Sequence, residues 1–245
     1  MSRPLPPSSD EQVFLQTYNP GEFDRPSVTV DLVILAPDEA GLLTLVLRRP
    51  EHPHRGRWAL PGGFVGITES LEAAAQRVLK EKTGLKGIFL EQLYTFGDPR
   101  RDPRMRILSV AHMALVPREK FEDLKAEAGQ VARVEVPWEA EAGGPVALLD
   151  QDGKHLPLAF DHEEIIALAI KRLRGKLDYS PLAFQLLPQS FTLFQLQRIH
   201  EAVLGRVVNK DSFRRRMLAT GLLEATGDMQ EGVGHRPAAL YRFRQ

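Results

Sequence analysis

From Gly63 to Leu85 the chain reads GFVGITESLEAAAQRVLKEKTGL, and this stretch leaves few ways to fold. A helix starts near Thr68 or Ser70. Leu71, Ala74, Ala75, Val78 and Leu79 then recur at helical spacing and make one apolar face. Gly84 stands where a left-handed residue ends a helix. A glycine-rich loop therefore feeds a short amphipathic helix that must bury one side. Positions 78, 81 and 82 fall at i, i+3 and i+4, so their side chains share a face. Those residues are Val78, Glu81 and Lys82, which together carry no net charge.

The segment resembles the Nudix box, a loop-helix-loop signature written G-x5-E-x7-R-E-U-x-E-E-x-G-U with U aliphatic. Gly63, Glu69, Arg77, Leu79, Glu81, Gly84 and Leu85 match it, and RWALPGG before it is similar to the strand-to-loop lead of that family. The resemblance implies that Glu69 and Arg77 brace the loop against the helix, and that the face of 78, 81 and 82 would hold Mg²⁺ or Mn²⁺. Val78 and Lys82 occupy two of the three ligand positions, which leaves Glu81 as a weak candidate for a metal. Mg²⁺ needs hard oxygen ligands. Two unit charges about 4 Å apart interact by roughly 4 kcal/mol at an effective dielectric of about 20, so losing two carboxylates costs a divalent ion several kcal/mol. Metal-assisted hydrolysis through this helix is not expected. No catalytic residue is assigned, and the frame without the metal reads as a binding site rather than an enzyme's.

With 245 residues there is room for one large domain or two smaller ones, and 43% hydrophobic content supports packed cores. Cysteine is absent, which removes disulfides and thiolate metal sites. No apolar run is long enough to span a bilayer and the start, MSRPLPPSSDEQ, is not a signal peptide, so no membrane partner is expected and a cytoplasmic protein is. Net charge is zero, but residues 206–245 hold eight Arg or Lys against four Asp or Glu, leaving +4 there and −4 elsewhere. A basic end on an otherwise acidic chain suits nucleic acid, although an ordinary solvated surface looks the same.

Along the chain, 27–35 and 42–48 read as strands across the turn PDEAG, and further strands are expected at 88–96, 106–116 and 133–136, with a hairpin around 150–153. Between the strands at 88–96 and 106–116 lies GDPRRDPR, dense in Pro, Asp and Arg. At Asp161 the pattern turns helical: Asp161 and Glu164 form a capping-box sequence, and Ile165, Ile166, Ala169, Ile170 and Leu173 make an apolar stripe. His162, at the start of that helix, reads as structural rather than catalytic. The linker GKLDYSPLAFQLLPQS holds the domain boundary. Thr192 and Gln195 then suit a capping box for a helix through Leu204 ending at Gly205, with Leu193, Leu196, Ile199 and Val203 inward. Asn209 caps a second helix, KDSFRRRMLATG, with Phe213, Met217 and Leu218 inward and Gly221 closing it.

Two helices, the second short and basic, followed by a glycine-punctuated hairpin resemble a winged helix-turn-helix. That likeness implies that Lys210, Ser212, Arg214 and Arg215 on the second helix face DNA, and that Arg236 near the hairpin tip reaches a phosphate or the minor groove. Together with the altered box, LAFDH at 158–162, LLPQSFTLFQLQRIHEAVLG at 186–205, NKDSFRRRMLATGLLEATG at 209–227 and HRPAALYRF near the end, the chain resembles the NrtR-like regulators of NAD metabolism. The fold expected is α/β (α+β): an N-terminal arm at 1–22, a Nudix-type mixed sheet between helices at 23–178, and a winged helix-turn-helix at 179–245.

The resemblance implies a homodimeric transcriptional regulator, a repressor or an activator, of NAD metabolism genes. It would bind palindromic operator DNA and respond to ADP-ribose or a related nucleotide without a required cofactor. Gly62, Gly63 and Phe64 let backbone approach a diphosphate, Lys82 supplies positive charge in place of a metal, and Arg57, Arg101 and Arg104 are candidates for phosphate or ribose contacts. Trp58 either stacks on a base or packs under the loop. Two other readings stand beside this one: a working ADP-ribose pyrophosphatase with an accessory domain, and a Nudix-family regulator of a sugar pathway.

Overall fold

The computed structural model describes residues 8–124, 129–139, 141–177, 181–232, 234 and 236–244. Helix α1 (Ser9–Thr17) is capped by Ser8 and buries none of its residues. Strands β1 (Ser27–Asp38) and β2 (Gly41–Arg48) form the expected hairpin. Two short strands follow, β3 (Trp58–Ala59) beside β2 and β4 (Gly62–Phe64) beside β1. Helix α2 (Leu71–Thr83), strands β5 (Leu90–Phe96) and β6 (Ile107–Leu115), helix α3 (Arg118–Glu122) and strands β7 (Gly129–Glu135) and β8 (Ala147–Leu149) complete the first half. The eight strands make one sheet with the path β5-β6-β1-β2-β7-β8. It is mixed, because β1 and β6 run parallel while the other neighbours are antiparallel.

Strand β1 is apolar on both faces because helices cover both sides of the sheet. Side chains alternate along a strand. Val30, Leu32, Ile34 and Ala36 therefore pack with Ala74, Ala75, Val78 and Leu79 of α2, while Val33 and Leu35 face the other way. That second face is covered by helix α4 (His162–Lys176) through Ile165, Ile166, Ala169, Ile170 and Leu173, all fully buried. Ser70 caps α2 through Ala73 N–H at 3.1 Å and Gly84 ends it at φ 76°, which fixes the box helix at both ends.

The domain boundary expected near residue 178 lies outside the described residues. Beyond it the linker is not featureless: Pro181–Leu186 is a 3-10 helix, and Phe184 packs its ring 4.7 Å from Phe243. Strand β9 (Phe191–Thr192), helices α5 (Leu193–Leu204) and α6 (Lys210–Ala219), and strands β10 (Leu223–Met229) and β11 (Ala239–Phe243) form the second unit. Its sheet runs β10-β11-β9. The Thr192 capping box on α5 is complete in both directions, with Gln195 N–H to Thr192 Oγ1 at 3.1 Å and Thr192 N–H to Gln195 Oε1 at 2.8 Å.

The two units share one core. Leu196, Ile199, Val203, Phe213 and Met217 belong to the same buried cluster as Val33, Leu35 and the inner face of α4. Arg174, near the C-terminal end of α4, is buried at the join: its Nε donates to Val203 O at 2.8 Å, its Nη1 donates to Trp138 O at 2.6 Å, and it stacks 4.7 Å from the Trp138 ring. Burial pushes its pKa below the ordinary arginine value.

Two expectations need correction. Leu218 does not point inward: it is 43% exposed, because Phe213 and Met217, four apart, already fill the contact with α5. The capping box at Asp161 is not made either. Asp161 is the N-cap residue of α4, but its side chain makes no capping bond and instead holds Arg101. A cap contributes about 1 kcal/mol, whereas removing the partner of a buried ion costs roughly 3–5 kcal/mol, so the guanidinium wins the carboxylate. Among the described residues no helix is long and apolar enough to cross a membrane.

Candidate ligand pocket and nucleic-acid interface

An aspartate interrupts the apolar run VTVDLVILA. Asp31 sits on β1 with its side chain on the α4 side of the sheet, beyond the end of the hydrophobic packing, and is almost buried. Ser109 of β6 donates to its Oδ2, Arg101 Nη2 lies 3.7 Å from that oxygen, and His162 Nε2 lies 3.9 Å from Oδ1. Arg101 has a side chain only 4% exposed and clasps Asp161 with two bonds, Nε to Oδ2 at 2.8 Å and Nη2 to Oδ1 at 2.6 Å. Burial works against this guanidinium, yet the Asp161 bonds outweigh it and raise its pKa. His162 Nδ1 accepts the Leu60 N–H at 2.9 Å, which places the ring proton on Nε2. Burial lowers its pKa and keeps it neutral.

Above this floor is a cavity of about 390 Å³, within the range of roughly 300–1,000 Å³ found for small-molecule sites. Gly62, Gly63, Phe64, Lys82, Arg101 and Arg104 all line it. Arg57 does not: it precedes β3 and turns its Nη1 to Leu158 O at 3.3 Å, on the segment that pairs with Trp58. Trp58 is packed against the core and is absent from the lining. A β-carbon on Gly62 would collide with Asp31 Oδ1 and meet Val30 O at 3.0 Å, so backbone alone fits there.

The lining is rich in cations. Arg104 is paired with Asp102, whose carboxylate is buried yet held below its ordinary pKa by the Arg104 side chain and N–H. Lys82 forms no ion pair with a described residue. Arg49 stacks 4.7 Å over the Phe160 ring, and burial followed by repulsion from Arg104 lowers its pKa. The lining also holds the acids Asp31, Glu51 and Asp102, so the cations left without an ion pair among the described residues, Arg49 and Lys82, are the ones open to an anion. Phe160 holds φ 55°, a left-handed backbone uncommon for an aromatic residue, with its ring between Arg49, His54 and His162. Asp31, Arg49, Asp102, Ser109 and Phe160 were not expected at the site, and Asp161 was expected only as a helix cap. The one local signal was an acid within the apolar strand.

The residues of the box helix do not fit a divalent ion. Val78 is buried under the loop, with its Cγ2 3.0 Å from where a β-carbon on Gly63 would lie. Glu81 bonds to Arg77 Nη1 at 3.3 Å and is not part of the cavity lining. Glu69 and Arg77 form the brace: Arg77 Nε and Nη2 reach Glu69 at 2.7 and 2.9 Å, Nη2 also bonds Phe64 O, and Gly66 N–H donates to Glu69. The Arg77 bond, then the Gly66 amide, hold the Glu69 pKa at about 2. Among the described residues no group of three His, Asp or Glu is placed to hold a metal.

A second hollow of about 560 Å³ lies between the two units, but its arginines are already matched, Arg118 with Asp38 and Glu122, and Arg198 with Glu201. On α6, Lys210, Ser212, Arg214 and Arg215 are exposed while Phe213 and Met217 anchor the helix. Glu201 fixes the turn before α6 by accepting from Gln197 Nε2 and Val208 N–H. Arg236 lies exposed between β10 and β11, and Arg242 and Glu224 pair across that hairpin.

The NUDIX domain model matches residues 25–156, and the model of the NrtR DNA-binding winged helix domain matches 183–243. The chain is thus a Nudix domain joined to a winged-helix DNA-binding domain. Over 238 residues it is 39% identical to the ADPR responsive transcriptional repressor NtrR of Acinetobacter baylyi, covering 96% of this chain and 89% of that protein. It belongs to the NrtR family of Nudix-domain transcriptional regulators. The crystal structure of Shewanella oneidensis NrtR complexed with a 27mer DNA aligns with a TM-score of 0.70 at 34% identity, covering 89% of this chain and 93% of that one. The first half is also 34% identical over 143 residues to an ADP-ribose pyrophosphatase of Methanocaldococcus jannaschii, 58% of this chain and 72% of that protein.

Proposed function

We propose that this chain is a repressor of NAD metabolism genes that binds ADP-ribose or a closely related nucleotide in the Asp31–Arg101 cavity and operator DNA through α6 and the β10–β11 wing. The observation that carries the reading is the exchange of acid for base at the box helix: Lys82 faces the cavity where Nudix enzymes hold metal, and Glu81 is tied to Arg77. A diphosphate then meets Lys82, Arg49 and Arg104 directly, with Gly62 and Gly63 admitting it close to backbone. The relatives named for DNA and ADP-ribose responses support both halves of the reading. The protein acts as a homodimer on a palindromic site, requires no metal, and works in the cytoplasm.

The rival is the activity of the Methanocaldococcus relative, hydrolysis of ADP-ribose. The same sample separates them. Binding to DNA from upstream of the protein's own and neighbouring genes is measured with and without ADP-ribose, while AMP release is followed with Mg²⁺ and Mn²⁺. Specific binding altered by ADP-ribose without turnover supports the regulator, and robust turnover without DNA binding sinks it. Lys82→Glu should weaken ADP-ribose binding about tenfold or more by calorimetry, since a nearby unit charge is worth a few kcal/mol before screening. Unchanged affinity removes the surrogate-cation role.

A further inference from the structure

The first turn of α4 holds a disagreement between what its sequence encodes and what its atoms do. Asp161-His-Glu-Glu164 is a capping-box sequence, yet the box is unmade. The N-cap residues whose side chains do cap have extended backbones, ψ 165° at Ser8, 96° at Asn19, 159° at Ser70, 156° at Thr192 and 122° at Asn209. Asp161 stands at ψ 20°, and its carboxylate is turned away to Arg101. Arg101 in turn lines the cavity. One carboxylate thus stands between two kinds of donor: the guanidinium that it holds, and the first-turn N–H groups of Glu163 and Glu164, which an N-cap side chain ordinarily accepts from.

We propose that Asp161 is a two-position switch: it holds Arg101 while the cavity is free, and moves onto the first-turn amides of α4 when an anionic effector takes Arg101. This rests on the reading of the cavity as an effector site. An effector phosphate or ribose oxygen competes for the same donors of Arg101 that Asp161 uses, and a displaced acid next to a helix N-terminus has a ready alternative. Helix α4 is suited to carry the change onward. Its first turn is tied to the cavity wall by His162 and Leu60, its apolar face lies in the core that the sheet and the winged helix share, and its far end holds α5. There Arg174 has no carboxylate partner among the described residues and spends its donors on Val203 O and Trp138 O, so the last turn of α5 depends on where α4 stands. Each ligand must favour one of the two positions for a response to exist.

Full-length Asp161→Asn and Asp161→Ala separate the two positions. Asparagine caps helices as well as aspartate does but cannot form the ion pair; alanine does neither. Asp161→Asn should bind ADP-ribose about fivefold tighter or more, and its DNA affinity without ADP-ribose should match that of the saturated wild type, with coupling in the usual range of about 5- to 150-fold. Asp161→Ala should also bind ADP-ribose more tightly, but its DNA affinity should no longer respond. Weaker ADP-ribose binding by Asp161→Asn overturns the switch, because Asp161 is then a direct ligand contact. Equal DNA behaviour of the two variants overturns it too. Should either variant unfold, hydrogen exchange on the wild type decides: added ADP-ribose should protect the amides of Glu163 and Glu164, and no change there rejects the proposal. A wild-type protein whose DNA binding ignores ADP-ribose defeats the functional reading itself, whereas a responsive wild type with an ordinary Asp161→Asn defeats only the switch.

Discussion

At Gly62 the missing side chain is a packing requirement. A β-carbon there meets a strand carbonyl, Val30 O, which cannot rotate aside, as well as the Asp31 carboxylate. Gly62→Ala should therefore cost about 1–3 kcal/mol, and thermal unfolding should show a fall of a few degrees for a chain of this size, at about 2–4 °C per kcal/mol. Protons act at the same scale. Burial holds His162 and His112 below the ordinary histidine value of 6.5. Between the lowered values and 6.5 the unfolded chain binds more protons than the folded one, so this part of the stability is complete above that window and is lost as pH falls through it. Glu69, at about 2 against 4.5 unfolded, contributes stability that is lost only further down, between those values. Melting temperature should thus drop in two stages on acidification. His162→Asn, which keeps an acceptor for Leu60 N–H, should shrink the upper stage and leave the lower one.

Elements differ in how openly their sequences announce them. Helices α2, α5 and α6 were legible because caps, periodic apolar residues and terminal glycines all sit within a dozen neighbouring residues. The two- and three-residue strands β3, β4 and β9 were not, since each exists only by pairing with a partner strand remote in sequence. The cavity was half legible for the same reason. Its glycines, Lys82 and the arginines of GDPRRDPR could be read locally, but Asp31 meets Ser109 only through the parallel register of β1 and β6, and Arg101 meets Asp161 across 60 positions. Helix α6 offers a direct check on which residues hold an element in place. Met217→Ala should destabilise by roughly 2–5 kcal/mol, while Leu218→Ala should stay within about 0.5 kcal/mol; denaturant titration of the two variants measures the contrast. Equal losses would mean that Leu218 is packed after all.

For the whole molecule, the continuous core predicts how it comes apart. Val33 and Leu35 of the Nudix sheet, α4, and the buried faces of α5 and α6 are one hydrophobic cluster. Calorimetry should then record a single unfolding transition rather than one for each domain, and Arg174→Met should lower its temperature without splitting it. Two separated transitions would show that the shared cluster does not couple the halves. The join also constrains how such a protein diversifies. A winged helix borrowed from another chain would have to bring residues equivalent to Leu196, Ile199 and Val203 in register and leave a carbonyl for Arg174. Descent should keep sensor and reader together as one inherited piece, while Lys210, Ser212, Arg214 and Arg215, all exposed on α6, can vary without opening the core that Phe213 and Met217 anchor.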